Sequence, residues 1–301
     1  MIRPDFLSYD MPLWRPPSEA RSLIVQATYG CSHNRCTFCC MYRGKRFRIR
    51  PEQEVVDELT AVSDVSGSGV KRIFLADGDP LVIKADSMVR ILEVCRSLFP
   101  KLERVTTYAT PQNLLRKSPA DLRKIREAGL TMLYYGVESG HDPTLDAVVK
   151  GVSADEIAAG AEKAHEAGFA LSVTVLLGLA GRDRSLAHAV DTAALLSRID
   201  PFYASALTIM DPDMYETDLD SHVEPDKPWG DMDVWDLLKE LREMISGMDV
   251  SRCIFRSNHA SNYLPLKGVL PADQKRLLEM IDRVLRERRD DSVRPEGLRG
   301  L

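Results

Sequence analysis

No stretch of this 301-residue chain is apolar for long enough to cross a bilayer: the longest such run, Ala170 to Ala180, is short and interrupted, where a spanning helix needs about 20 consecutive apolar residues. The opening residues, Met1-Ile-Arg-Pro-Asp-Phe-Leu-Ser-Tyr-Asp10, lack the apolar core of a secretory signal. A cytoplasmic location with no membrane partner is therefore expected. Positive charge is not in excess either. With 40 Lys and Arg against 45 Asp and Glu, the formal net charge is −5, which gives no global attraction for nucleic acid. Cysteine is scarce away from one loop, since Cys95 and Cys253 stand alone among the six. They read as buried small hydrophobes. That usage argues against a disulfide framework and against a second cysteine-bound metal centre. Internal repeats and low-complexity tracts are absent.

What is present is Cys31-Ser-His-Asn-Arg-Cys36-Thr-Phe-Cys39, three cysteines within nine residues, directly after the strand-like Ser22-Leu-Ile-Val-Gln-Ala-Thr-Tyr29. The loop offers a metal three thiolates. A structural zinc site closes with four protein ligands, and His33 or Cys40 could supply the fourth. An iron–sulfur cluster held by three cysteines instead keeps one iron open for a small molecule. On the loop alone, a zinc-stabilised interaction module and an open cluster both stand.

Strand-like and helix-like segments then alternate, the pattern of repeated βα units around a parallel sheet. Strands are expected at 22–29, 71–76, 104–110, 130–137, 169–177 and 202–209. Helices are expected near 51–65, 85–98, 118–128, 154–167 and 184–198. Six such units make an α/β fold, a partial (β/α)6 TIM-type barrel over residues 21–210. An N-terminal arm, residues 1–20, precedes it and is expected to lie over a barrel opening. An α-rich C-terminal extension, 211–301, is expected to cover part of the mouth. It opens with an Asp- and Pro-rich loop at 211–230, followed by helices near 231–247 and 272–288, a strand at 250–256 and a frayed tail after Arg286.

In such an array, ligand groups project from the carboxyl ends of the strands. The cysteine loop follows the first strand. The second ends in Asp77-Gly78-Asp79-Pro80, the third in Tyr108-Ala109-Thr110-Pro111-Gln112-Asn113, the fourth in Gly136-Val137-Glu138-Ser139, and the fifth in Gly178-Leu179-Ala180-Gly181. A carboxylate such as Glu138 at a buried strand end should have a partner. Lys150, before Gly151, reads as ordinary helix capping.

These motifs, in this order, resemble the radical S-adenosylmethionine (SAM) superfamily, in particular its coproporphyrinogen dehydrogenase and Elongator-type members. The family's usual loop has three residues between the first two cysteines, and this chain has four. The resemblance implies that Cys31, Cys36 and Cys39 hold a [4Fe-4S] cluster, the Phe38 frame favouring Cys39 over the adjacent Cys40. It implies further that Phe38 packs beside adenine, Asp79 holds the SAM ammonium, Thr110 and Glu138 meet the ribose, and Gly178 lets backbone pass close to adenine. The implied activity is reductive cleavage of SAM to a 5′-deoxyadenosyl radical that abstracts hydrogen from an unidentified substrate. It also implies a reducing donor such as flavodoxin or ferredoxin. A transferase of the same superfamily acting on RNA is the alternative.

Two segments remain. Cys253-Ile-Phe-Arg256-Ser257-Asn258-His259-Ala-Ser261-Asn262-Tyr263 reads either as a substrate loop or as a self-satisfied turn. In the first case Arg256 would clamp an anion, with Asn258 beside it, and His259 would move a proton. His141, His165, His188 and His222 read as surface residues. In Arg43-Gly-Lys45-Arg46-Phe47-Arg48-Ile49-Arg50, alternate arginines share one face. A contact with nucleic acid is possible there, but the acidic whole favours a solvated edge.

Overall fold

The computed structural model describes residues 9–66, 69–210 and 232–300. The chain divides into two compact units, one of Met1–Asn34, Cys39–Tyr135 and Gly160–Ala170, the other of Arg35–Phe38, Gly136–Ala159 and Leu171–Leu301. Each is built on parallel strands.

In the first unit, β1 (Leu23–Gln26) pairs in parallel with β4 (Arg72–Ala76), and β4 with β5 (Arg104–Ala109). β5 pairs in parallel with β6 (Leu130–Glu138), whose last residues pass into the second unit. A small antiparallel pair, β2 (Thr28–Tyr29) with β3 (Arg48–Ile49), closes the base of the cysteine loop. Ile73, Phe74, Leu75 and Ala76 are all fully buried, the continuous burial of a parallel strand covered on both faces. Outside them lie α1 (Glu52–Ser66), α2 (Ala85–Leu98) and α4 (Pro119–Ala128). Met88, Ile91, Leu92 and Cys95 of α2 are buried at helical spacing. Inside, Phe74, Tyr108 and Tyr134 meet edge to face with centroids 5.1 to 6.1 Å apart. Tyr9 and Leu13 of the N-terminal arm pack against this cluster. The arm ends at the buried Glu19, which takes hydrogen bonds from Arg104 (2.7 Å) and Tyr134 (2.5 Å).

In the second unit, β7 (Ala170–Leu177), β8 (Tyr203–Thr208) and β9 (Cys253–Arg256) run parallel, and β10 (Lys267–Leu270) returns antiparallel to β9. α7 (Ser185–Ile199), α8 (Val234–Gly247) and α9 (Gln274–Glu287) pack in succession. α6 (Ala154–Glu166) divides between the units. Among the described residues, no helix is long and apolar enough to cross a membrane.

Expected and observed strands agree to within a few residues, and so do the long helices. Two short helices, α3 (Pro111–Arg116) and α5 (Asp142–Ala147), add to the helices whose bounds periodicity gave. Six residues are too few to show a period, and each carries a proline in its first turn, where the ring's fixed φ is preset for a helix. The tail past Arg286 is not frayed. Arg294 donates to the carbonyls of His259 (2.9 Å), Ala260 (2.6 Å) and Asn262 (2.8 Å), and Arg299 to that of Ser261 (2.7 Å). Two guanidiniums that find a row of carbonyls dock a charged tail that composition alone marks as solvated. The loop expected at 211–230, and His222 in it, lie outside the described residues.

Candidate functional site

The cysteine loop leaves β2 through Gly30, whose φ of +71° and close approach to Lys45 (3.3 Å for an added Cβ) favour glycine. Asp77, at the end of β4, is fully buried and fastens the loop's base: it accepts from Gln26 Nε2 (2.9 Å), the Gly30 amide (3.1 Å) and Lys45 Nζ (2.9 Å). Gly78 follows. A Cβ there would lie 2.7 Å from the Tyr42 ring and 3.1 Å from Cys31 Cβ. The Tyr42 hydroxyl is buried and has no hydrogen-bond partner among the described residues. Burial, then Tyr108, Asp77, Cys39 and Cys31, holds its proton well above the usual phenol range. Cys31, Cys36, Cys39 and Cys40 are half-buried and none is in a disulfide.

Among the described residues, no three His, Cys, Asp or Glu side chains, those of Cys31, Cys36 and Cys39 included, are gathered closely enough to hold a metal ion. What the loop supplies is the donor set of an open cluster: three thiols on nine residues, with Gly78, which has no side chain, close to both Cys31 Cβ and the Tyr42 ring. The residues present fit a three-thiolate cluster.

Asp79 has no exposed surface. Its carboxyl accepts from Ser32 Oγ and from Asn113 Nδ2 (2.5 Å). Burial pushes its pKa up to about 7, partly offset by those two bonds and by Lys117 and Arg116. The Thr110 hydroxyl caps α3, accepting from the Asn113 amide (3.3 Å) and side chain (3.0 Å). The structure thus joins Thr110, Asn113 and Asp79 in one chain of hydrogen bonds.

Glu138 ends β6 with φ +64°. The partner expected for it is Lys150 Nζ, at 3.0 Å, with only 12% and 9% of the two side chains exposed. Lys150 is therefore a buried ion-pair partner rather than a solvated cap. A Cβ on Gly136 would sit 2.3 Å from Glu138 Oε1 and 3.2 Å from Lys150 Nζ, so the pair occupies the space that glycine leaves.

Phe38, like Leu176 and Ile209, packs against the buried pair Val148 and Leu179. Gly178, at φ +83°, is held by α8, since an added Cβ would meet Leu237 at 2.8 Å and its amide donates to Glu240 Oε1 at 2.7 Å. Glu240 also accepts from Ser185 and lies 3.2 Å from His188 Nδ1. His188 is fully buried and His141 nearly so, which corrects their reading as surface residues. Burial lowers the His141 pKa. The signal for Glu240 was an acid inside the apolar stripe Leu237, Leu241 and Met244, all buried.

The 253–263 segment closes largely on itself. Arg256 donates to the Phe255 (2.8 Å) and Gly268 (3.3 Å) carbonyls and lies over the Tyr203 ring at 5.7 Å. Asn258 is exposed. His259 Nδ1 accepts from the Ser261 amide (3.2 Å), and burial, then Arg294, lowers its pKa. Asn262 ties the loop to the end of β8 through Thr208 Oγ1 (2.9 Å) and the Ala206 carbonyl (2.8 Å).

A family model, the radical SAM superfamily, matches residues 25–193. The heme chaperone HemW of Bacillus subtilis strain 168 is 23% identical over 147 residues, covering 48% of this chain and 38% of that protein. The GTP 3′,8-cyclase of Listeria welshimeri is 28% identical over 149 residues, covering 48% and 41%. The match thus spans less than half the length of these curated relatives. Among solved structures, the coproporphyrinogen III oxidase HemN of Escherichia coli, described as a radical SAM enzyme, superposes with a TM-score of 0.51 at 17% identity, over 75% of this chain and 52% of that one. Methylornithine synthase PylB gives 0.50 at 18% identity, over 76% and 63%. These likenesses show the fold, a mixed α/β structure with a mostly parallel sheet of the partial TIM-barrel kind.

Proposed function

The chain belongs to the radical SAM superfamily, and on that premise we propose that it is an enzyme that uses a [4Fe-4S] cluster to cleave SAM reductively and oxidise or rearrange an unidentified substrate. The observation that carries this reading is the Cys31–Cys39 loop set against Gly78 and the buried Tyr42 hydroxyl. When bound, the cluster would supply the electron for reductive cleavage of SAM, the chemistry that opens hydrogen abstraction from substrate.

The chain's own residues hold and orient. Cys31, Cys36 and Cys39 would ligate the cluster. Asp79, supported by Asn113 and Thr110, would hold the SAM ammonium. Glu138, paired with Lys150, would meet the ribose hydroxyls, and Phe38 with the Gly178 turn would flank adenine. On the substrate side Asn258 and His259 remain the candidates. Arg256 joins them less readily, because its guanidinium already serves two carbonyls. The core is assigned to residues 21–210, with the arm before it and the extension after it over the mouth. A donor of the flavodoxin or ferredoxin kind and a cytoplasmic setting complete the reading.

The test is low-temperature EPR of the anaerobically reconstituted, dithionite-reduced protein with and without SAM. A reduced [4Fe-4S] signal that changes on adding SAM is the expected result. Zinc without iron or sulfide would overturn the reading.

A further inference from the structure

Tyr42 is a buried phenol, 4% exposed, that the cysteine loop carries just past its last thiol. Its backbone is fixed by Asn34 Nδ2, which donates to the Tyr42 carbonyl at 2.9 Å. Its ring lies against Gly78 at 2.7 Å from the added Cβ position, the same position that lies 3.1 Å from Cys31 Cβ. Lys45 Nζ sits 5.8 Å from the ring centroid. The hydroxyl nevertheless donates to nothing among the described residues.

A buried hydroxyl left unpaired forfeits the hydrogen bond that water would give it, and most buried polar groups in native structures are paired. The nearby acid does not relieve it. Asp77 already accepts from Gln26, Gly30 and Lys45. The groups left around Tyr42 include the Cys31 and Cys39 thiols, which act on it electrostatically. As thiolates these would be acceptors, and a phenol O–H is a donor.

We propose that Tyr42 donates its O–H to a sulfur of the cluster or of its Cys31 or Cys39 ligand, and thereby raises the cluster's reduction potential. The proposal rests on the cluster reading above. Hydrogen bonds to the sulfurs are among the factors that set iron–sulfur potentials. A donor here stabilises the reduced state, which carries one more negative charge. Tyr42 is thus assigned as a tuning residue for the electron that SAM cleavage consumes, and not as a SAM or substrate contact.

Tyr42→Phe removes only the oxygen and keeps the ring against Gly78. In an EPR-monitored redox titration of the reconstituted protein, it is expected to assemble a cluster of unchanged iron and sulfide content. At a fixed potential its reduced-to-oxidised ratio should fall about tenfold, which for a one-electron couple is about 59 mV. Replacing Tyr42 with 3-fluorotyrosine keeps the hydroxyl and makes it a stronger donor, so the potential should move the other way. That second variant keeps the test decisive if Tyr42→Phe fails to fold. A wild-type cluster whose potential is unmoved by either replacement overturns the proposal and leaves the cofactor reading intact. Failure of the wild-type protein to bind any cluster overturns both.

Discussion

Asp79 has no exposed surface, and burial outweighs its bonds to Ser32 and Asn113, so its carboxyl titrates near about 7 in place of its usual acid range. An acid raised in this way binds more protons folded than unfolded between the two pKa values. Its burial therefore costs increasingly more stability as pH climbs from about 4 to about 7, and a constant amount above. Asp79→Asn removes that charge. In the ligand-free protein the substitution should stabilise more at pH 8 than at pH 5, by roughly 2–3 kcal/mol at most, as measured by denaturant melts at the two pH values. An equal gain at both would mean that Asp79 is already ionised at pH 5. The same residue gives SAM binding a sign: affinity measured by calorimetry should rise through pH 7 in the wild type and rise less in the variant. Glu138 and Lys150 behave as a unit. Lys150→Met leaves a largely buried carboxylate unpaired and should cost roughly 3 kcal/mol. Adding Glu138→Gln should recover part of that loss, whereas strict additivity in the double-mutant cycle would deny the coupling.

Among the elements, the parallel strands were legible because each is a short apolar run bounded by turn residues, and the strand ends were legible because a polar group follows such a run abruptly. Asp79 and Glu138 stand out for that reason. Lys150, His188 and Glu240 did not, since each sits on or beside a helix, where a charged residue is ordinarily solvated. Its place inside the apolar stripe of α8 is a faint hint for Glu240, and the packing of α8 on the Gly178 turn shows that it faces inward. β10 was missed because Lys267-Gly-Val-Leu270 is short and carries a glycine, and its strand conformation comes from antiparallel pairing with β9. The docked tail was missed for a related reason: Arg294 and Arg299 look like solubilising charges, and only the folded chain brings their guanidiniums against the carbonyls of residues 259–262. Arg299 has only 6% of its side chain exposed and also reaches the Ile209 carbonyl at 3.3 Å. Arg299→Ala should therefore raise amide hydrogen exchange across residues 257–264 at least tenfold while α9 stays protected. Uniform exchange across both segments would mean that the clasp supports the whole unit and not the loop.

At the scale of the whole molecule, a net charge of −5 opposes encounter with an acidic electron donor, so any attraction has to be local. The strip that follows the cysteines is where it is available. Arg43 Nε donates to the Cys39 carbonyl at 3.0 Å and Arg50 pairs with Glu58 at 2.6 Å, which commits both to the fold. Arg46 and Arg48 are exposed, and Arg48 lies over the Tyr29 ring with its guanidinium carbon 4.1 Å from the centroid. A stacked arginine keeps its charge and its outward donors. Two exposed cations a few residues past Cys39 can steer a negatively charged partner, and steering of this kind weakens as salt screens it beyond about 10 Å at 0.1 M. Turnover driven by a flavodoxin should then fall between 50 and 300 mM salt. It should fall about tenfold at low salt in the double variant Arg46→Glu with Arg48→Glu. Dithionite-driven turnover, which needs no protein docking, should be unchanged by the substitutions. Loss with both reductants would show that the arginines support the cysteine loop itself, and loss with neither would move the donor's docking surface elsewhere on the molecule.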